Sequence, residues 1–445
     1  MGLTISKSMR LSSSPSIAFV GAGGKTTAMF QLARELTPPV ILTSTTHIGA
    51  WQIPMADHHI IATKSDDLSN IKFKDVTLIT GPIKQDDRTE SVNKELLYWL
   101  HAESGRNHLP LLIEADGSRQ RSLKAPRDFE PPIPDFVNNV IVVAGLSALG
   151  KPLSEETVYL PEYFSKLSGL QFNHIITPDA IVNVLCHPLG GLKNIPKDSR
   201  RTALLNQSDS PGLQSVAHGM VKPLLANYDS VIISSLKEKT VYADYEPVVG
   251  IILAAGGSTR FGQPKQLLDW HGQPFVRAVA QTALDAGLSQ IIVVTGADAE
   301  LVEGAVKDLN ITIKRNDDWQ TGQASSIRTG IEAISTLGCK PAGAAIFLLA
   351  DQPQIEPSVI RALVEYHASE FQPIIAPLVM MDQRANPVLF DRVTFPDLIN
   401  LQGDIGGRGI FSGYPVEYMP WHDDRLLLDV DIPEDYIRLI RDETL

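Results

Sequence analysis

The sequence predicts two α/β units in tandem, each built on a largely parallel sheet covered by helices on both faces. Three observations carry this. Near-continuous apolar runs of strand length alternate with helical stretches, which is the mark of strands buried on both sides. The alternation restarts once, near residue 248. The chain of 445 residues is long enough for two or three domains at about 100 to 200 residues each.

In order, the first unit is expected to run through a strand at Ile17–Val20, a helix from about Thr26 to Glu35, and strands at Val40–Ser44, Leu111–Ala115 and Val140–Ala144. Ser12–Ser16 reads as a frayed end. The second unit opens with Val248–Leu253, followed by a helix around Gln273–Ala286 and strands at Gln290–Thr295, Ile311–Lys314 and Ala344–Leu349. Between the units, Lys237–Pro247 is polar, carries both charge signs and ends in proline, so it is expected to be a linker with the boundary near residue 245.

Composition excludes several classes. Lys plus Arg is 39 against Asp plus Glu at 51, a net charge of −12, which argues against an extended nucleic-acid surface. Any anion must be bound locally. The two cysteines, Cys186 and Cys339, form no C-x-x-C pair, which suits a cytoplasmic location and offers no zinc site. The longest apolar stretches are about half the ~20 residues that cross a bilayer, so no membrane span and no export signal are expected.

The first strand runs into Gly21-Ala22-Gly23-Gly24-Lys25-Thr26-Thr27 and then a helix. Glycines let backbone N–H groups close around phosphate oxygens, a helix N-terminus adds partial positive charge, Lys25 reaches terminal phosphates and Thr26 is placed for Mg²⁺. The pattern is that of a P-loop NTPase, in a variant form, because Phe19 stands where its first glycine would be. Leu111–Asp116 is an apolar strand ending in acids, with Asp116 as the Mg²⁺-linked carboxylate. Leu204–Asp209 resembles the Asn-Lys-x-Asp guanine-reading segment of GTPases, with Gln207 for Lys, and makes Asn206 and Asp209 candidate base readers for GTP, ATP being the alternative. Arg119, Arg121, Lys124 and Arg127 form a basic cluster that either receives an anionic partner or is solvated. His47, His58 and His59 read as surface or hydrogen-bonded core residues, and Cys186 with His187 as strand neighbours whose side chains diverge.

Taken together, Gly21–Thr27, Thr43–His47, Glu114–Ser118, Lys124–Pro126, His187-Pro188 and Asn206–Asp209 make residues 14–235 resemble the YqeC family, proteins associated with selenium-dependent molybdenum hydroxylases. The resemblance implies a nucleotide-binding domain over about 14–236 with an accessory role, and a molybdenum hydroxylase apoenzyme as a partner.

The second loop is longer: Leu253-Ala254-Ala255-Gly256-Gly257-Ser258-Thr259-Arg260, then Phe261 to Lys265. A buried strand opening into Gly and Ser lets backbone approach a triphosphate, while Arg260 and Lys265 supply charge for a leaving pyrophosphate. Ala345–Asp351 delivers one carboxylate at a strand end and Asp429-Val430-Asp431 offers a second, a pair suited to a hard cation. Asp351 and Asp431 are the expected ligands, with Asp429 as the alternative to Asp431. Glu434 and Asp435 read as the first turn of the last helix. Gly322, Gln323, Ser325 and Ser326 fall at a loop-to-helix junction able to bind base or phosphates.

With Asn316, Trp319, Arg328, Arg384–Val388 and Gly403–Arg408, these residues make 248–442 similar to the MocA-type molybdenum cofactor cytidylyltransferases, a group of nucleotidyltransferases with a Rossmann-like GT-A fold. The resemblance implies a domain over 248–445, and Mg²⁺-dependent cytidylyl transfer from CTP to molybdopterin. Catalysis would fall to Arg260, Lys265 and Asp351. It also implies a pterin side at Asn386, Pro387, Gly403, Asp404 and Arg408. Asn386 stands where many such sequences have His, which affects the second substrate. Leu253-Ala254-Ala255-Gly256, in place of Leu-Ala-Gly-Gly, goes with the cytidylyl rather than the guanylyl branch. Rival readings are a sugar-phosphate nucleotidyltransferase and a nucleotide-gated cofactor chaperone.

Overall fold

The computed structural model describes residues 2–11, 13–84, 87–258, 261–336 and 341–442. The chain divides into two compact units, Met1–Tyr245 and Glu246–Leu445.

The first unit holds β1 (Ser16–Gly21), β2 (Val40–Ser44), β3 (His58–Ile61), β4 (Val76–Thr80), β5 (Leu111–Glu114), β6 (Leu123–Lys124), β7 (Asn139–Gly145), β8 (Val158–Tyr159), β9 (Arg200–Asn206), β10 (Ser230–Ser235) and β11 (Thr240–Tyr245). Nine of them form one sheet in the order β11-β10-β9-β7-β1-β5-β2-β4-β3, and β6 pairs with β8 apart from it. Every pairing in the large sheet is parallel except β10 with β11. β1 lies between β5 and β7, with Phe19 beside Glu114 and Gly21 beside Val143. Its burial on both faces is what a run such as Ile17–Val20 demands.

The second unit adds β12 (Val248–Ala254), β13 (Asp269–Trp270), β14 (Gln273–Pro274), β15 (Gln290–Thr295), β16 (Thr312–Arg315), β17 (Ala344–Leu349), β18 (Ile374–Val379), β19 (Gln383–Arg384), β20 (Val388–Asp391) and β21 (Val416–Trp421). The sheet order is β16-β15-β12-β17-β20-β18-β19, with β21 parallel to β18. β12 is central and parallel to both β15 and β17, whereas β20 runs antiparallel between β17 and β18. One face packs Ile252, Ile346 and Leu389 with Val276, Val279 and Ile360 from the helices; the other packs Ile251, Ile292 and Phe347 with Ile327 and Ile331.

Four expectations change. The segment 237–247 is not a bare linker: Thr240–Tyr245 is an edge strand whose Val241, Ala243 and Tyr245 are buried, an alternation that its charged neighbours conceal in the sequence. Of the Ser12–Ser16 segment expected to fray, Ser12 lies outside the described residues and Ser16 is buried and opens β1; ahead of it Ile5–Met9 forms a short helix with Ile5 and Met9 fully buried and Thr4 accepting the Lys7 N–H at 3.2 Å. Cys186 ends a helix, Pro178–Cys186, rather than lying on a strand. The helix expected over 273–286 spans Phe275–Asp285, with Gln273–Pro274 taken into β14.

Candidate functional site

In the second unit, β12 ends at Ala254 and the chain leaves the carboxyl edge of the sheet, where open α/β sheets place ligands. Ser258 takes a left-handed backbone, φ 47°, and its Oγ accepts the Lys265 N–H at 3.0 Å, folding the loop back on itself. Gln266 is buried and its Nε2 donates to the Gly256 carbonyl at 2.6 Å, which fixes the loop from beneath. Opposite, β17 ends at Leu349 and delivers Asp351. Lys265 Nζ lies 3.0 Å from Asp351 Oδ2 and 3.0 Å from Asp431 Oδ1. Burial alone would lower the Lys265 pKa, but Asp351 and Asp431 outweigh it and hold the ammonium above its ordinary value. Asp429 faces Gln352, and burial together with the Asp351 charge pushes its carboxyl up.

The third wall is the start of the helix Gln323–Thr336. Gly322 has φ 112°, and a Cβ there would fall 2.5 Å from the backbone of Gly403 and Asp404. The Ala324 N–H donates to the Gly403 carbonyl at 3.2 Å, so the two segments are laced together. The Trp319 ring lies against Gly257, and its Cβ against Gly296; a Cβ at either glycine would come within 3.1 Å or 2.7 Å of that side chain. These walls enclose a cleft of about 730 Å³.

In the first unit the turn after β1 is short, because Phe19 is inside the strand. Gly21, Gly23 and Gly24 all have positive φ, and a Cβ at Gly23 would meet the Gly145 backbone at 2.5 Å. Lys25 is buried and folds back: Nζ donates to the Gly21 carbonyl at 2.6 Å and lies 3.1 Å from Asp116 Oδ1. Asp116 also accepts the Gly21 N–H at 3.0 Å and pairs with Lys124 at 2.9 Å. Thr26 Oγ1 donates to Glu114 Oε2 at 2.7 Å. Burial raises the Glu114 carboxyl above the usual range, partly offset by Lys25 and Thr26. The turn opens on a cleft of about 280 Å³ whose lining also includes His47, Trp51, Arg88, Arg119 and Arg121.

With that geometry in view, comparison with known proteins separates the two units. Residues 17–162 match the family model described as YqeC protein. Over 198 residues the chain is 31% identical to the YqeC protein of Escherichia coli (strain K12), an alignment covering 43% of this chain and 75% of that protein. The chain belongs to the YqeC family. Residues 250–419 match a MobA-like NTP transferase domain, so this YqeC-family chain is also a nucleotidyltransferase. The chain is 28% identical over 207 residues to the nicotine blue oxidoreductase of Paenarthrobacter nicotinovorans, covering 44% of this chain and 98% of that protein. It is 28% identical over 201 residues to the molybdenum cofactor cytidylyltransferase of Escherichia coli (strain K12), covering 42% and 92%.

Of the residues this YqeC-family sequence singled out in its transferase half, Leu253, Ala255, Gly256, Gly257, Ser258, Lys265, Gly322, Asp351, Asp404 and Asp431 line one cleft. Ala254 and Ser325 do not. Ala254 is fully buried, and the Ser325 hydroxyl is engaged by Asn316 Nδ2 at 2.8 Å and the Gly322 carbonyl at 2.8 Å; Ser326 lines the cleft in its place. Arg260 lies outside the described residues, as does Cys339. Asn386, Pro387, Gly403 and Arg408 do not line this cleft either. Arg408 Nη2 donates to the Arg384 carbonyl at 3.3 Å, which holds 408 beside the 384–387 segment.

In the first half, Gly23, Gly24, Lys25 and Thr26 line the smaller cleft, while Gly21 and Asp116 sit behind it. Asn206 is not aimed outward: its Nδ2 donates to the Gly23 carbonyl at 2.6 Å and its Oδ1 accepts the Leu236 N–H at 3.0 Å. Asp209 is exposed and accepts the Ser235 hydroxyl at 2.6 Å. His58 and His59 pair with Asp75 and Thr80 as surface residues do, but His47 lines the cleft. Sequence reasoning missed Gln266 and Trp51. Neither belongs to a recognised motif: Gln266 braces its own loop at Gly256, and Trp51 lines the smaller cleft.

No helix among the described residues is long and apolar enough to cross a membrane. Among them, too, no group of three or more His, Cys, Asp and Glu is set to hold a metal ion.

Proposed function

We propose that the second unit transfers a cytidylyl group from CTP to the terminal phosphate of molybdopterin. The products are molybdopterin cytosine dinucleotide and pyrophosphate. The observation that carries the reading is Lys265, held 3.0 Å from two carboxylates of distant sequence at the mouth of a glycine-lined cleft. Similarity to a molybdenum cofactor cytidylyltransferase over nearly all of that protein supports the choice of substrates.

The residues fit a divalent cation. An ammonium already bridges Asp351 and Asp431, so the position favours positive charge, and two hard oxygen donors leave room for phosphate oxygens to complete an Mg²⁺ shell. When bound, Mg²⁺ would neutralise the α-phosphate and orient the attacking oxygen. The backbone of Gly256 to Ser258 cradles the triphosphate, and Lys265 turns from the carboxylates to the pyrophosphate as charge develops there. Trp319 and Gly322 position the nucleoside. The molybdopterin phosphate oxygen forms the new bond to the α-phosphorus while the bond to pyrophosphate breaks; alignment and charge neutralisation suffice, with no covalent nucleophile. Asp404, with Asn386, Pro387, Gly403 and Arg408, is assigned to the pterin side.

The first unit binds GTP or ATP at Gly21–Thr26 and serves maturation of a molybdenum hydroxylase in the cytoplasm. Tethering the two steps raises their effective concentration. The experiment is pyrophosphate release with Mg²⁺ and CTP, GTP or ATP in turn, offered a molybdopterin-type cofactor or a sugar phosphate. Cofactor-dependent release with CTP, lost in Lys265→Ala, supports the reading; release only with a sugar phosphate or another nucleotide overturns it.

A further inference from the structure

The four basic residues after Asp116 separate into two sets. Lys124 is buried and bound to Asp116, Glu130 and the Gly117 carbonyl, and Arg127, outside the smaller cleft, sits over the Tyr159 ring, which Arg119 also approaches at 5.5 Å. Arg119 and Arg121 line the smaller cleft, where Arg88 joins them from another segment of the chain beside His47, at 3.4 Å. Among the described residues no carboxylate is paired with Arg88, Arg119 or Arg121. Lys25, by contrast, is neutralised by Asp116. The positive charge facing the cleft therefore comes chiefly from guanidiniums.

Their placement is fixed by the phosphate-type turn itself. The Arg121 carbonyl accepts the Gly23 N–H at 3.0 Å, and the Ser122 carbonyl accepts the Gly145 N–H at 2.8 Å, so the stem of Arg121 is stitched to the turn. Arg119 and Gln120 precede it with φ 46° and 60°, two successive left-handed residues without a glycine. Such backbone persists where the surroundings over-determine it, and it gathers at functional sites. A planar donor fork suits phosphate oxygens better than an ammonium.

We propose that the first unit cleaves the terminal phosphate of its bound nucleoside triphosphate with its own arginines, Arg121 foremost, and needs no partner protein to supply one. This rests on the reading of Gly21–Thr26 as a nucleotide site. Water oxygen bonds to the terminal phosphorus, and the bond from that phosphorus to the bridging oxygen breaks. The electron pair stays on the nucleoside diphosphate, and inorganic phosphate and a proton are released. Arg121 and Arg88 neutralise charge on the transferring group, a role in which one arginine is worth about 10³ or more in rate.

The test uses the full chain carrying Lys265→Ala, so that nucleotidyl transfer is silenced, with Mg-GTP and Mg-ATP. Nucleotide affinity is measured with a non-hydrolysable analogue, and turnover as inorganic phosphate rather than pyrophosphate. Expected is steady phosphate release that falls by about 10³ in kcat on Arg121→Ala, with affinity changed less than about fivefold. Absence of binding to the Lys265→Ala chain removes the nucleotide site itself. Binding without phosphate release, or Arg121→Ala that raises KM and leaves kcat unchanged, overturns the arginine proposal and leaves the site standing. Should Arg121→Ala fail to fold by its melting curve, Arg88→Ala gives the same reading from a second lining residue.

Discussion

Lys265 Nζ stands 3.0 Å from Asp431 Oδ1, joining the glycine loop to the turn before the last helix across 166 positions of sequence. That turn is itself set by Asp435, whose carboxylate accepts the N–H groups of Asp431 and Ile432 at 3.0 Å each. The loop is thereby tied to the carboxylates before any nucleotide arrives.

Replacing Lys265 with Ala should lower pyrophosphate release by about 10² to 10³ in kcat, the usual loss when one donor to developing charge is removed. Steady-state kinetics with CTP check it. An unchanged kcat with a raised KM would make Lys265 a ground-state anchor.

Asp351→Asn and Asp431→Asn should each weaken Mn²⁺ binding, followed by electron paramagnetic resonance in the presence of CTP, by at least about tenfold, a loss that even a ligand's hydrogen-bond partner produces. Asp429→Asn should do less, because Asp429 faces Gln352 rather than Lys265. The reverse ranking would move the metal to Asp429.

Gly322→Ala combines a positive φ with a clash against the backbone of Gly403 and Asp404. Strain of about 1 to 3 kcal/mol is expected. For a unit of this size each kcal/mol lowers the melting temperature by about 2 to 4 °C. Calorimetry of the second unit's transition would show it, and an unshifted transition would mean that the 403–404 segment yields freely.

Glu114 gives a pH signature. Burial holds its carboxyl above the ordinary 4.5, so folding favours the protonated form. Its contribution is complete below the unfolded value and is lost as pH rises through the folded one. Glu114→Gln keeps an acceptor for Thr26 and removes this dependence. The variant should therefore melt higher than the parent at pH 7.5, with the difference vanishing near pH 4. Equal melting at both values would show that Lys25 already compensates the charge.

Most of the strand pattern was legible because buried parallel strands are nearly continuous apolar runs, as in Ile17–Val20 and Ala344–Leu349. Strand β11 was not, since the charged run Lys237–Lys239 leads into it, Asp244 falls within it, and its partner lies before it in an antiparallel hairpin. That Lys265, Asp351 and Asp431 belong near one another was legible from strand ends and loop chemistry, and the three side chains do meet. Asn206 was misjudged, because sequence shows a polar residue at a strand end but not that its amide is committed to the Gly23 carbonyl. Gln266 braces the loop that precedes it and Trp51 lines the smaller cleft, roles that no recognised motif announces.

Trp319 rests on Gly257 and Gly296 at the wall of the larger cleft, and Trp51 stands 63% exposed at the rim of the smaller one. Each cleft thus contains an indole whose emission depends on what lies against it. Replacing one tryptophan at a time would make occupancy of either cleft optically readable in the intact chain, without a label.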